Sequence, residues 1–146
     1  MKHLIILYLI FILCNSCCTK KDCLNVFDIN EISLIDFEMQ ELDSIFVIAY
    51  TKNNDFTKAV DSAYVTSIGT LNATNNFVIT IPVSFFPEYD YRLEFRKIDF
   101  IAEITDIKVA SEKCNTCFLT KDKYSILESY QINGVLRTNK AIEIAK

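Results

Sequence analysis

Histidine occurs once in this 146-residue chain, at His3. Beyond that position there is no imidazole. This excludes activation of a nucleophile by a Ser-His-Asp or Cys-His arrangement, and it excludes zinc sites that depend on His. Glycine is almost as scarce, with two residues, Gly69 and Gly134. Two isolated glycines cannot build a phosphate-cradling loop. Basic clusters are missing as well. Net charge is −4, and it is −5 for residues 17–146, because residues 1–16 carry Lys2 and no acid. Phosphate contacts need grouped Lys and Arg, so nucleic acid is excluded as a partner. Lys20 and Lys21 form the nearest basic pair, and they serve to keep their surroundings solvated. Amphipathic helices between strands are also lacking, which argues against a βαβ layout.

What is present begins with a greasy leader. Lys2 and His3 precede Leu4–Leu13, an unbroken apolar run of ten residues. As a helix it would rise roughly 15 Å, about half of the ~30 Å hydrocarbon core. It reads as a secretory signal rather than a permanent span. Cys14-Asn15-Ser16-Cys17-Cys18 follows. With small Ser16 just before Cys17, this segment resembles the lipobox of bacterial lipoproteins. The resemblance covers residues 1 to about 23. It implies cleavage after Ser16 and acylation of Cys17 by diacylglycerol and an N-acyl chain such as palmitate, with Cys18 as second choice. Attachment by several acyl chains, at about 0.8 kcal/mol per buried CH₂, is effectively permanent. Thr19-Lys20-Lys21-Asp22 resembles the export signal of surface-exposed lipoproteins. The implied location is the outer membrane or cell surface, or its periplasmic face. The divisions expected are a signal over 1–16, anchor and tether over 17–30, and one domain over 31–146.

That domain reads as all-β. Composition is 51% hydrophobic and 23% charged, enough for a packed core. Tyr91, Leu93 and Phe95 alternate with Arg92, Glu94 and Arg96, and Phe77, Ile79 and Ile81 with Val78 and Thr80. Ile142 and Ile144 flank Glu143. Ile45 to Tyr50 is apolar on both faces, which predicts a central strand covered on both sides. Ile35, Phe37 and Met39 alternate with Asp36 and Glu38; Ile32, Ile35, Met39 and Leu42 also fit a helical stripe, and strand is preferred. Further strands are expected near 63–66, 102–109 and 125–132. Asparagine supplies left-handed backbone at Asn53-Asn54-Asp55, Asn75-Asn76 and Asn139, and Asn133-Gly134 predicts a tight hairpin. Pro82 stops one strand and Pro87 sits in a loop. About seven or eight such strands imply an antiparallel β-sandwich, immunoglobulin-like or transthyretin-like.

Cys18, Cys23, Cys114 and Cys117 remain after cleavage and acylation, in an oxidising compartment. Cys114-Asn115-Thr116-Cys117 suits a local disulfide, with Cys23 the rival partner of that pair. The Cys-x-x-Cys spacing also occurs in thiol oxidoreductases, but thiolate activation needs a helix N-terminus or a cation, and Lys113 is the one adjacent cation. A four-cysteine zinc site matches by count, yet not by compartment. The acids Asp36, Glu38, Glu41, Asp43, Asp55, Asp61, Asp90 and Asp106 are scattered, so a solvated face is the plainer account than paired catalytic carboxylates or a calcium loop. Asp106 interrupts an apolar run, as at a bulge or strand end.

The densest aromatic segment is Phe85-Phe86-Pro87-Glu88-Tyr89-Asp90-Tyr91. Phe85, Phe86, Tyr89 and Tyr91 are the candidate contacts for a sugar or protein partner. The competing account has a phenylalanine capping the core and a tyrosine bonding to backbone where the strand begins, as in a tyrosine corner. Together these features predict a non-enzymatic, lipid-anchored binding or assembly module of the envelope. It would need no cofactor or metal, and its partner would be an envelope protein or glycan. The alternative is a small enzyme, either a carboxylate-based hydrolase or a Cys114/Cys117 thiol oxidoreductase.

Overall fold

The computed structural model describes residues 30–70, 76–83, 85–114 and 123–146. The signal, Cys17, Cys18, Cys23 and Cys117 lie outside those residues. Ten strands are described: β1 (Glu31–Ile35), β2 (Ile45–Thr51), β3 (Ala59–Tyr64), β4 (Ser67–Thr70), β5 (Asn76–Thr80), β6 (Tyr89–Phe95), β7 (Phe100–Lys113), β8 (Lys123–Ile132), β9 (Val135–Arg137) and β10 (Ile142–Ala145). They form two sheets, ordered β10-β1-β5-β4 and β3-β2-β6-β7-β8-β9. The alternating apolar side chains of both sheets meet in one core: Ile32, Leu34, Ile79, Ile142 and Ile144 from the first, and Val47, Leu93, Phe95, Ile104 and Tyr130 from the second. The molecule is a β-sandwich, as the alternation predicts, with ten strands among the described residues rather than seven or eight.

Of the two topologies expected, the strand order matches the immunoglobulin Greek key. β1, β4 and β5 stand where B, D and E stand, and β2, β3, β6 and β7 where C, C′, F and G stand. β10 occupies the place of strand A and runs parallel to β1, with Ile32 opposite Ile142. Only Val65 and Thr66 separate β3 from β4. One extended stretch therefore leaves the edge of the larger sheet and joins the edge of the smaller, a corner of the kind that links packed sheets.

Two elements differ from expectation. The strand predicted through Ile35, Phe37 and Met39 stops at Ile35, because Asp36 takes a left-handed conformation at φ 64. A 3₁₀ turn over Met39–Glu41 follows, and Met39 is exposed while Phe37 and Leu42 enter the core. Among the described residues, which leave out Asn75, left-handed backbone falls to aspartate more than to asparagine, at Asp36, Asp55, Asp99 and Asp106 beside Asn53 and Asn133. Asn133-Gly134 does join β8 to β9 as a tight hairpin, with φ 49 and 76. Positive φ at both residues is the mark of a type I′ turn. Asp106 lies where the β7–β8 register shifts, so the interruption of its apolar run is a bulge.

Two fully buried tyrosines hold the crossings between sheets. The Tyr91 hydroxyl accepts the Phe86 N–H at 2.7 Å and lies 3.3 Å from the Phe86 carbonyl, and the Tyr91 ring stacks on Phe85 at 4.4 Å. This is the tyrosine corner. Tyr130 donates to the Ala141 carbonyl at 2.9 Å and accepts the Glu143 N–H at 3.2 Å, which ties β8 to β10. Burial pushes the Tyr91 hydroxyl up to about 12, against a partial opposing effect of the Phe86 backbone bond; Tyr130 is raised by the same cause. An acid whose folded pKa exceeds its unfolded value near 10 stabilises fully below that lower value. The contribution then declines as pH climbs from about 10 towards about 12. The urea midpoint should therefore fall across that range. Tyr91→Phe should start about 1–3 kcal/mol less stable, having removed the hydroxyl that accepts the Phe86 N–H, and should lose less of its stability on the alkaline side. Equal alkaline losses in the two proteins would refute the assignment.

Candidate functional site

Ile45, Val47 and Ala49 point into the core, so Phe46, Ile48 and Tyr50 point away from it. Pairing registers then lay out the outer face of the six-stranded sheet in rows. One row is Tyr64, Phe46, Glu94 and Ile101, and the next is Ser62, Ile48, Arg92 and Glu103. A third places Tyr50 beside Asp90. The expectation that β2 is covered on both sides is corrected here: no second layer lies over this face among the described residues. What overlies the apolar side chains is arginine and one turn.

Each of two arginines rests on a pair of rings and is met by a carboxylate. The Arg96 guanidinium is 4.6 Å from the Phe46 ring centre and 5.5 Å from that of Tyr64. It donates to the Tyr64 hydroxyl at 2.7 Å and pairs with Glu94 at 3.2 Å. The Arg92 guanidinium is 4.5 Å from the Phe56 ring centre and 5.7 Å from that of Tyr50, and it pairs with Glu103 at 2.7 Å. Half-exposed ion pairs of this kind stabilise by less than about 1 kcal/mol. Their consequence is positional: cation–π contact and ion pairing together hold each guanidinium in place. On the same face Tyr64 and Ile101, and more distantly Leu136 on β9, remain 50%, 46% and 61% exposed. Arg, Tyr and exposed aliphatics, fixed in place and balanced in charge, are the materials of a binding face.

The aromatic segment singled out from the sequence divides. Phe85 and Tyr91 are core residues at 1% and 0% exposure, closed to any partner. Phe86 and Tyr89 stay near the surface as an edge-to-face pair at 6.1 Å. The core-capping phenylalanine and the tyrosine corner are thus both found, and only half of the proposed contact set reaches the surface. Asp36 and Glu38 are exposed and lie beyond β1 rather than on a strand face. Glu38 and Glu41 serve each other's backbone in a capping box, and Lys146 pairs with Glu41. Asp106 accepts from Gln131 at 2.8 Å. Among the described residues no three metal-ligating side chains are grouped to hold an ion, and no helix is long and apolar enough to cross a membrane. Cys114 follows β7 directly.

Comparison with protein-family models, with curated proteins and with solved structures finds no match.

Proposed function

We propose that this chain is an exported, lipid-anchored binding module that engages its partner through the outer face of the six-stranded sheet. The observation that carries the proposal is the pair of guanidiniums, Arg92 and Arg96, each spread on two rings beside exposed Tyr64 and Ile101. The leader and Ser16-Cys17 support delivery to the envelope. A tether over residues 18–30 gives the domain a reach of up to about 45 Å from the membrane. A local disulfide from Cys114 to Cys117 belongs to the same proposal, with Cys23 the rival partner. Among the described acids, Glu38 and Glu41 are engaged in a capping box, Asp106 with Gln131, and one oxygen of Asp90 with the Asn53 N–H.

The test is photo-crosslinking in intact cells producing the lipidated protein. A crosslinking residue at Ile101 or Tyr64 should give a discrete adduct. The same residue at Ser33, on the outward side of the four-stranded sheet, should not. Equal labelling from both sheets would remove the face from consideration, and none from Ile101 and Tyr64 would remove its Arg96 end.

A further inference from the structure

Two buried polar atoms on the outer face have no partner, Asp90 Oδ1 and Arg92 Nε. Asp90 is only 8% exposed. Its other oxygen accepts the Asn53 N–H at 3.0 Å. The terminal nitrogen of Arg92 is taken by Glu103. The two residues lie two apart on β6, so they share one face with their Cα atoms about 6.5 Å from each other. Buried polar atoms in folded proteins are almost always satisfied, and exceptions point to a ligand or water.

What covers them is the turn between β2 and β3. It is closed by Thr51 N–H to the Lys58 carbonyl at 3.1 Å, and Asn53, Asp55 and Phe56 are left-handed at φ 57, 44 and 54. Left-handed backbone is costly for a bulky aromatic. At Phe56 it accompanies a ring set over Arg92 and edge-on to Tyr50 at 5.2 Å.

We infer that a neutral saccharide binds beneath this turn, with one hydroxyl bridging Asp90 Oδ1 and Arg92 Nε and an apolar sugar face against Phe56. The chemistry selects this class. Oδ1 requires a donor and Nε–H an acceptor, and a hydroxyl is both in one atom. Hydrogen bonds of ordinary length let a single oxygen span a gap of about 5–6 Å. An anionic ligand would meet Asp90 and Glu103, and a cationic one would meet Arg92. The turn must swing aside for the sugar to enter. The inference rests on the outer face being the binding surface, and it names what part of that surface holds.

The side-chain Nε–H of Arg92 gives a direct readout by NMR of the ¹⁵N-labelled lipidated protein in detergent micelles. Maltotetraose or chitotetraose should move that peak saturably, together with the amides of Asn53 and Phe56. Asp90→Asn, which keeps the side-chain shape, should weaken the effect about tenfold or more, and Asp99→Asn should not. Phe56→Ala lies in an exposed turn and provides the same readout if Asp90→Asn does not fold. A peak unmoved by either saccharide, or moved equally in Asp90→Asn and Phe56→Ala, overturns the inference and leaves a buried water as the occupant. Crosslinks at Ile101 with no saccharide response would sink this inference alone. A saccharide response without those crosslinks would instead narrow the binding surface to the Arg92 end.

Discussion

Serine at both Cys17 and Cys18 should transfer the protein from the membrane fraction almost entirely into the soluble one. A single myristoyl-sized chain gives only marginal, reversible membrane binding, whereas two or more make release negligible. Losing the acceptor thiol removes every chain at once, so the change in partition spans orders of magnitude. The single variants decide which cysteine is modified. If Ser16-Cys17 is the cleavage junction, Cys17→Ser suffices and Cys18→Ser leaves attachment intact; if the neighbouring junction is used, the outcomes exchange. Globomycin should cause the uncleaved precursor to accumulate in both cases. Membrane attachment that survives the double substitution would show that neither thiol carries lipid, and the anchored-module proposal would lose its anchor.

Period-two alternation made most of the sandwich legible in the sequence. Tyr91, Leu93 and Phe95, or Ile142 and Ile144, have one buried face whatever their partners are, and the structure buries all five completely. The short strands were hard to see for the opposite reason. β4 and β9 bury almost nothing, since Ser67, Gly69 and Thr70 are exposed, as are all of Val135–Arg137. They form because a neighbour offers a sheet edge and a turn delivers them there. Ile35–Met39 misled because Phe37 is buried without being in a strand. Local alternation cannot distinguish a strand from a left-handed Asp36 followed by a 3₁₀ turn.

The candidate site left a signal that pointed elsewhere. Apolar residues on both faces of Ile45–Tyr50 suggest a covered strand. Here the outer apolar residues Phe46, Ile48 and Tyr50 underlie Arg92, Arg96 and Phe56 instead. Those arginines appear in the sequence as the polar half of an ordinary alternating strand. Only the register, which pairs Ile48 with Arg92 and Phe46 with Glu94, reveals that cations sit over aromatic rings. Register depends on turns and on distant strands, so one strand's sequence does not contain it. The Phe85–Tyr91 segment shows the converse. Its aromatic density is real, but Phe85 and Tyr91 spend it on the corner between β5 and β6.

Phe37→Ala should destabilise the domain by about 3–5 kcal/mol, the usual cost of truncating a buried phenylalanine. Phe37 is 0% exposed although it belongs to the crossing between β1 and β2. Its ring stacks on Phe95 at 5.0 Å and meets Phe100 edge-on at 5.8 Å, so it joins the crossing to the β6–β7 turn. The surroundings cannot readily close over the gap. Asp36 is committed to its left-handed geometry on one side, and the capping box of Glu38 and Glu41 fixes the turn on the other. Total stability of a domain this size is about 5–15 kcal/mol, so the variant should unfold at much lower urea, or fail to accumulate. Met39→Ala, two residues away but at a position 53% exposed, should change stability by no more than about 0.5 kcal/mol. Urea unfolding of both variants measures the contrast. Similar midpoints for the two would mean that the crossing packs loosely against the sandwich, and that Phe95 and Phe100 close this end of the core without it.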